Sequence, residues 1–384
     1  MIIAVNTRLL IPGRLDGIGW FTCETMRRIV AAHPEHEFLF LFDRTPDPQF
    51  LFAPNVHPIV LHPKARHPLL WHIYFQWSVP RVIRKSGADL FVSPDGWMPL
   101  NIKIPVLDVI HDLNFEHSGN FLRPSHQRYM THFFPLFSQR ATRLATVSEF
   151  SKNDIVATYN VDSDKIDVVY NGSHDYYRPC SETEKQKVRQ KYCNGNRFFI
   201  SIGTISRRKN LANIILAYDT FRQSHPGDST HFVVVGGRYG TYQELDSALD
   251  SCRWRSDIHF VGHVESAVLS RLLASAEALV YASLFEGFGI PILEAFYAEV
   301  PVVSSEVTSM PEVAGDAALL VNPESVDAIA HAMSKIVGDR NLCDELVSRG
   351  RRRRELFTWD ITASRLWQSM MATVGSNGNS QSSS

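Results

Sequence analysis

Apolar positions in this chain gather into short runs rich in β-branched residues, with stretches of helical spacing between them. IIAV (2–5), FLFLF (38–42), DLFVS (89–93), PVLDVI (105–110), RLATV (143–147) and KIDVVY (165–170) have the continuous apolar character of strands covered on both faces, as in a parallel sheet. Residues 18–32, 125–140 and 149–159 read as helices between them, the last with Ser148 as its N-cap. This alternation predicts a doubly wound α/β domain over roughly residues 1–170. Past Asn171 and Gly172 the pattern pauses in SHDYYRPCSETEKQKV, a polar segment that begins as a linker and ends as a helix. It then resumes with FFISIG (198–203), HFVVVGG (231–237), IHFVG (258–262), ALVYA (278–282), VPVVSS (300–305) and ALLV (318–321) as strands. Helices are expected at 209–223, 241–252, 265–276 and 290–299. FTWDITASRLWQSMM (357–371) reads as an amphipathic helix, and the SNGNSQSSS ending has the composition of a disordered tail. The expected fold is two Rossmann-like domains, 1–175 and 190–355, facing across a cleft, then a helix over 356–373 and a tail over 374–384. Ligands are expected at the C-terminal ends of the strands.

The length of 384 residues allows two or three domains and excludes a small binding module. Lys and Arg total 39 against 40 Asp and Glu, so no basic excess points to nucleic acid and any anion must be met locally. The five cysteines are scattered without a CxxC pair, which argues against a disulfide framework and a structural zinc site and suits a reduced cytoplasm. The start shows no basic leader and no stretch has the apolar length of a membrane span, so neither secretion by that route nor membrane spanning is expected.

Four places could carry chemistry. In YASLFEGFGIPILEAFYAE a buried strand ends in a glycine-bearing turn and Pro291 opens a helix. Gly287 and Gly289 let the backbone approach a ligand, and the helix start offers N–H groups to a phosphate or sugar. Glu286 in the turn and Glu294 inside the helix can face one pocket at different depths, one accepting sugar hydroxyls and the other ribose hydroxyls; a solvated strand-to-helix junction is the plain alternative. In GTISRRKNL (203–211) a buried strand runs into Arg207, Arg208 and Lys209, where a diphosphate would lie. As a bare triplet this is a surface cluster; its position after a strand favours a function. RLDGIGWF (14–21) places Gly17 and Gly19 before a helix, either as a cap or as a loop over donor phosphates, and lacks the third glycine of a dinucleotide fingerprint. VIHDLNF (109–115) puts His111 and Asp112 at a strand end, where the pair could orient an acceptor hydroxyl. Asp162 and Asp164 form an Asp-x-Asp that the polar turn around them explains better than a metal.

Together these segments resemble the retaining GT-B glycosyltransferases of the large family four. The most specific match is Glu286 to Glu294 within FEGFGIPILEA, with SMPEVAGDAALLVNP (309–323), GTISRRKN, VSEFS (147–151), YNG (170–172) and FTWD (357–360) agreeing in place and type. The resemblance implies a metal-independent, retaining hexosyltransferase without a cofactor, using a GDP- or UDP-linked sugar as co-substrate. It implies that Arg208 and Lys209 bind the donor diphosphate, that Glu286 and the backbone of Phe288, Gly289 and Ile290 hold the sugar, and that Glu294 binds the ribose. Gly17 and Gly19 would approach the phosphates, His111 would contact the sugar, nucleobase contacts would lie around Gly262 to Val264, and the last helix would cross back to the N-terminal domain. Many relatives carry Arg directly after the strand glycine, where this chain has Thr204; Arg207 is the residue placed to substitute. The general flavour is of mannosyltransferases of surface polysaccharide assembly.

The acceptor, a glycan or a lipid-linked one, is expected on the N-terminal domain, where residues 62–143 hold ten Lys or Arg against five Asp or Glu. HPLLWHIYFQWSVPRVIRK and FLRPSHQRYMTHFFPLFSQR interleave aromatics with cations, a pattern that suits either peripheral contact with an anionic membrane at the inner face or a hold on a lipid diphosphate acceptor. Trp71, Phe75 and Trp77 are read instead as helix core. Two rivals stand beside this reading: an NAD-dependent enzyme, disfavoured by the missing GxGxxG, and a non-catalytic GT-B scaffold that binds a nucleotide sugar or glycan.

Overall fold

A computed structural model of the chain describes residues 1–117, 124–238, 240 and 242–380, with side chains described to residue 376. The chain divides into two compact units, Met1–Gly172 with the segment from Trp359 onward, and Ser173–Thr358.

The first unit is a parallel seven-stranded sheet built from β1 (Ile2–Asn6), β2 (Glu37–Phe42), β3 (Val56–Val60), β4 (Leu90–Ser93), β5 (Val106–Val109), β6 (Arg143–Thr146) and β7 (Ile166–Val168). Its order is β3-β2-β1-β4-β5-β6-β7, so the chain reverses its direction of winding between β1 and β4. Ile3 to Val5, Leu90 to Val92, and Val106 to Val109 are fully buried, which is why these strands carry no polar alternation. β3 was not expected from the pattern: Pro58 lies inside it, tolerated because the strand sits at the sheet edge with β2 as its one neighbour. Ser148 caps helix Glu149–Tyr159 by accepting from the Ser151 N–H at 3.0 Å. Asp162 accepts from the Asp164 N–H at 2.9 Å in a short turn.

The second unit is a parallel six-stranded sheet of β8 (Phe198–Ile202), β9 (His231–Val235), β10 (Ile258–Gly262), β11 (Ala278–Tyr281), β12 (Val302–Ser305) and β13 (Leu319–Val321). The order β10-β9-β8-β11-β12-β13 puts its switch point between β8 and β11. Residues 173–175, assigned above to the first domain, belong here: Ser173 bridges to Thr358, and the Tyr176 carbonyl accepts from Ser270 Oγ at 2.9 Å. Ser181 and Glu184 form a capping box that starts helix Glu182–Cys193.

Two expectations are corrected. The last helix runs over Trp359–Ser380 rather than ending at 373; Thr373, at that expected end, is buried and its hydroxyl bonds back to the Ser369 carbonyl at 2.7 Å, which keeps the helix wound through that position. The tail expected at 374–384 is therefore helical as far as Ser380, and residues 381–384 lie outside the described residues. Trp71 and Phe75 are buried, but Trp77 is 63% exposed. Helix Pro68–Ile73 passes through a π-helical turn, Tyr74–Ser78, that sends Tyr74 and Phe75 inward and leaves Trp77 on the outer side.

Candidate functional site

The loops that leave β8 and β11 flank the switch point of the second sheet, where an open α/β sheet offers its ligand crevice. Gly203, after β8, has φ +132, and Gly236, after β9, has φ +148; a Cβ on Gly236 would lie 1.9 Å from the Gly203 carbonyl oxygen. Only glycine lets these two backbones touch, and the contact fixes the turn that leads to the basic residues. Arg207–Lys209 form a 3-10 turn, and Asn210, in left-handed conformation, donates to the Ala282 carbonyl at 2.9 Å and to the Pro323 carbonyl at 2.7 Å. The basic turn is thereby tied to the end of β11.

There the charges meet. Arg208 Nη1 donates to Glu286 Oε2 at 2.5 Å and to the Phe285 carbonyl at 2.9 Å. Lys209 Nζ lies 2.7 Å from Glu286 Oε1, donates to the Tyr281 hydroxyl at 2.6 Å and sits over the Tyr281 ring. Two cations against one carboxylate leave this cluster positively charged. The Glu286 main chain is fixed as well, its N–H donating to Thr308 Oγ1 at 3.3 Å and its carbonyl accepting from Ser309 Oγ at 2.8 Å. Burial raises the Glu286 carboxyl's pKa, but Lys209 and Arg208 outweigh it and hold it at about 2, so it stays ionised at neutral pH.

Gly289, at φ +101, turns the chain into helix Ile290–Ala298 with Pro291 in the first turn. No side chain caps this helix start, which follows β11 and so lies at the end of the sheet where an open α/β sheet takes its ligand. Phe288 is buried edge-on against Phe357 at 5.7 Å, which anchors the turn. Glu294, one turn into the helix, is pushed up to about 7 by burial, against the pull of a hydrogen bond from Tyr177 and the charge of Lys209. Lys209 thus acts on both glutamates. Tyr177 and Tyr281 are partners that the sequence reading missed; Tyr281 carried a usable signal as the last residue of the strand before the motif, whereas Tyr177 sits in the linker-like segment with none.

The other expected residues lie elsewhere. Arg207 does not join the cluster: it is exposed and ion-paired with Glu244 of helix Gln243–Ser251, which corrects the expectation that it replaces the missing arginine at Thr204. In the first unit, Gly17 opens helix Gly17–Ala32, and the Gly19 N–H donates to the N-cap Asp16 at 2.9 Å. His111 is not paired with Asp112, whose carboxylate is spent on the Asn114 N–H at 3.0 Å. Its Nε2 donates to the Pro94 carbonyl at 2.9 Å, leaving Nδ1 as an acceptor, and burial lowers the ring's pKa and keeps it neutral. The structure also brings together Cys193, His231 and His259, with potential ligand atoms within 4.8 Å, a grouping that no CxxC pair in the sequence announces. His231 and His259 are hydrogen-bonded to each other at 2.7 Å, and Asn196 donates to His231 at 3.1 Å.

A strand-loop-helix with buried Glu286, uncapped helix start and Glu294 one turn on, facing an Arg-Lys turn from the neighbouring strand, matches one family in sequence as well. Residues 182–353 match the model for glycosyl transferases group 1, and residues 15–174 that for glycosyltransferase family 4. The chain is 30% identical over 363 residues to O-antigen chain mannosyltransferase B of Escherichia coli, spanning 90% of this chain and 93% of that protein. The chain belongs to the group 1 and family 4 glycosyltransferases. O-antigen chain mannosyltransferase RfbU of Salmonella typhimurium is 28% identical over 289 residues, 74% of this chain and 75% of that one. Among solved structures of this fold, sucrose-phosphate synthase from Thermosynechococcus elongatus superposes with a TM-score of 0.77 over 96% of this glycosyltransferase and 97% of its own chain, at 16% identity. WaaG, a glycosyltransferase involved in lipopolysaccharide biosynthesis, gives 0.72 over 96% and 98% at 18% identity. Both are GT-B glycosyltransferases, and the two Rossmann-like sheets described above are that fold.

Proposed function

We propose that the protein transfers a hexose, mannose in the favoured case, from a nucleotide diphosphate sugar to a glycan or lipid-linked acceptor in surface polysaccharide synthesis, with retained anomeric configuration. The observation that carries the reading is the positively charged Arg208-Lys209-Glu286 cluster beside the uncapped start of helix Ile290–Ala298; the two O-antigen mannosyltransferase relatives support the sugar and the acceptor class.

In this reading the cations and the helix N–H groups take the diphosphate, Glu286 and the Phe288 to Ile290 backbone orient the sugar, and Glu294 accepts from the ribose. The acceptor oxygen bonds to the sugar's anomeric carbon as its bond to the leaving phosphate breaks. The acceptor proton passes to that phosphate on the same face, and Arg208 and Lys209 offset the charge that develops there, the task a metal performs in other transferases. His111, neutral with Nδ1 as acceptor, is suited to receive a hydroxyl of the transferred sugar. The free cysteines suit a reducing compartment, and no described helix is long and apolar enough to cross a membrane. Contact with the inner face would be peripheral, supported by exposed Leu69 and Trp77 in the stretch that carries exposed Arg81, Arg84 and Lys85.

The test is a screen of GDP- and UDP-linked hexoses with purified protein, with the product's anomeric configuration read by proton NMR. Transfer with retention is expected, falling by about 10²- to 10³-fold in Lys209→Ala and in Glu286→Ala while both stay folded; near-normal turnover by both variants would sink the reading.

A further inference from the structure

The segments that leave β1, β2 and β3 in the first unit line a cavity of about 330 Å³ that no part of the preceding account uses. Its wall carries four arginines, Arg8, Arg14, Arg44 and Arg66, against a single acid, Asp43. Two of the four are held rigidly. Arg8 is buried, its Nε 2.7 Å from Asp95, with its guanidinium over the rings of Phe75 and Trp97 at 5.4 and 5.5 Å. Arg44 donates to both Asp43 oxygens, at 2.5 and 3.0 Å, and Asp43 also accepts from the Ala65 N–H at 3.0 Å, which ties the loop after β3 to the end of β2. Both local carboxylates are consumed in this way. Arg14 and Arg66 have no ion-pair partner among the described residues, and both are exposed. The cavity therefore presents two uncompensated guanidiniums on a wall braced by two more, at the strand ends where doubly wound sheets bind ligands.

Scattered surface arginines would face solvent separately and be flanked by acids. Here four converge on one concavity whose volume lies in the range of small-ligand sites, roughly 300–1,000 Å³. Guanidinium forks match phosphate oxygens in pairs, and two uncompensated charges call for a dianion rather than a neutral sugar or a single carboxylate. We propose that this cavity binds a phosphate ester, and, resting on the glycosyl-transfer reading, that the ester is carried by the acceptor. The residues that line the cavity belong to the first unit, and the Arg208-Lys209 cluster to the second.

The test is calorimetric titration of inorganic pyrophosphate into the full-length protein with UDP or GDP already saturating, so that the nucleotide occupies the donor diphosphate site. Pyrophosphate is expected to bind regardless of nucleotide, to weaken as salt rises, and to bind at least about ten-fold more weakly to Arg14→Ala/Arg66→Ala. Both substitutions are at exposed positions, and circular dichroism checks that the variant is folded. Displacement of pyrophosphate by nucleotide, or wild-type affinity in the double variant, would overturn the proposal. A second arm uses vesicles containing a prenyl diphosphate: sedimentation that pyrophosphate reverses assigns the ester to a lipid, and pyrophosphate binding without sedimentation assigns it to a soluble acceptor, both supporting the site. Pyrophosphate binding in a protein that transfers no sugar would leave the anion site standing and sink the transferase reading; transfer without it would do the reverse.

Discussion

At the scale of single residues the two glutamates of the site are driven apart by their surroundings. Glu286 is buried between two cations and is held at about 2; Glu294, with the Tyr177 hydroxyl and the charge of Lys209 favouring its ionised form, is still pushed up to about 7 by burial. The consequences have opposite signs. Glu286 contributes stability that is present above the ordinary carboxyl value and is lost as pH falls towards 2; Glu294, protonated more readily folded than unfolded, costs stability as pH rises from about 4.5 to 7. If the ionised Glu294 accepts from the ribose, nucleotide-sugar affinity rises about ten-fold between pH 6 and 8, following the ionised fraction. Calorimetry at the two pH values checks this, and Glu294→Gln should flatten the profile; matching profiles for the two proteins would remove Glu294 from the ribose. Strand-end position and spacing put forward Glu286, Glu294 and the Arg207-Arg208-Lys209 triplet as candidates, and the family resemblance singled out Arg208 and Lys209, which the structure places against Glu286. Other partners were not legible in the sequence: Tyr177 reaches Glu294 from a segment without periodicity, and Arg207, identical in type to its neighbour, turns away to Glu244, a choice decided by the geometry of one short turn.

At the scale of elements, the site depends on two loops passing in contact after β8 and β9. Gly236→Ala would place a methyl 1.9 Å from the Gly203 carbonyl in a backbone conformation that suits only glycine. We expect it to cost about 3 kcal/mol in urea unfolding and to weaken nucleotide binding by displacing the 203–209 turn. Gly227→Ala, where an added Cβ meets nothing within 4 Å, should change stability by less than about 0.5 kcal/mol; equal effects of the two would show that the contact does not matter. Most strands could be read from their apolar runs because both faces of each sheet are covered. β3 escaped because an edge strand tolerates the proline that ordinarily argues against a strand, and the last helix outran its expected end at 373 because a Gly-, Ser- and Asn-rich stretch reads as a tail by composition even where it continues a helix.

At the scale of the whole molecule, a formal charge of -1 hides two local cationic features, one in each unit. A third lies on the outer side of the stretch around Trp77, whose exposure overturns its reading as core and favours a surface role. Sedimentation with anionic vesicles should be salt-sensitive and should be lost in Trp77→Ser/Arg81→Ser; absence of binding by the unmodified protein would end the membrane reading. The central claim is that Arg208 and Lys209 hold the donor diphosphate, beside Glu286, which orients the sugar. Titration of GDP-mannose and UDP-glucose into the wild type and Lys209→Ala tests it most directly: one of the two should bind the wild type and bind the variant at least about ten-fold more weakly, whereas equal affinity for both proteins would contradict it.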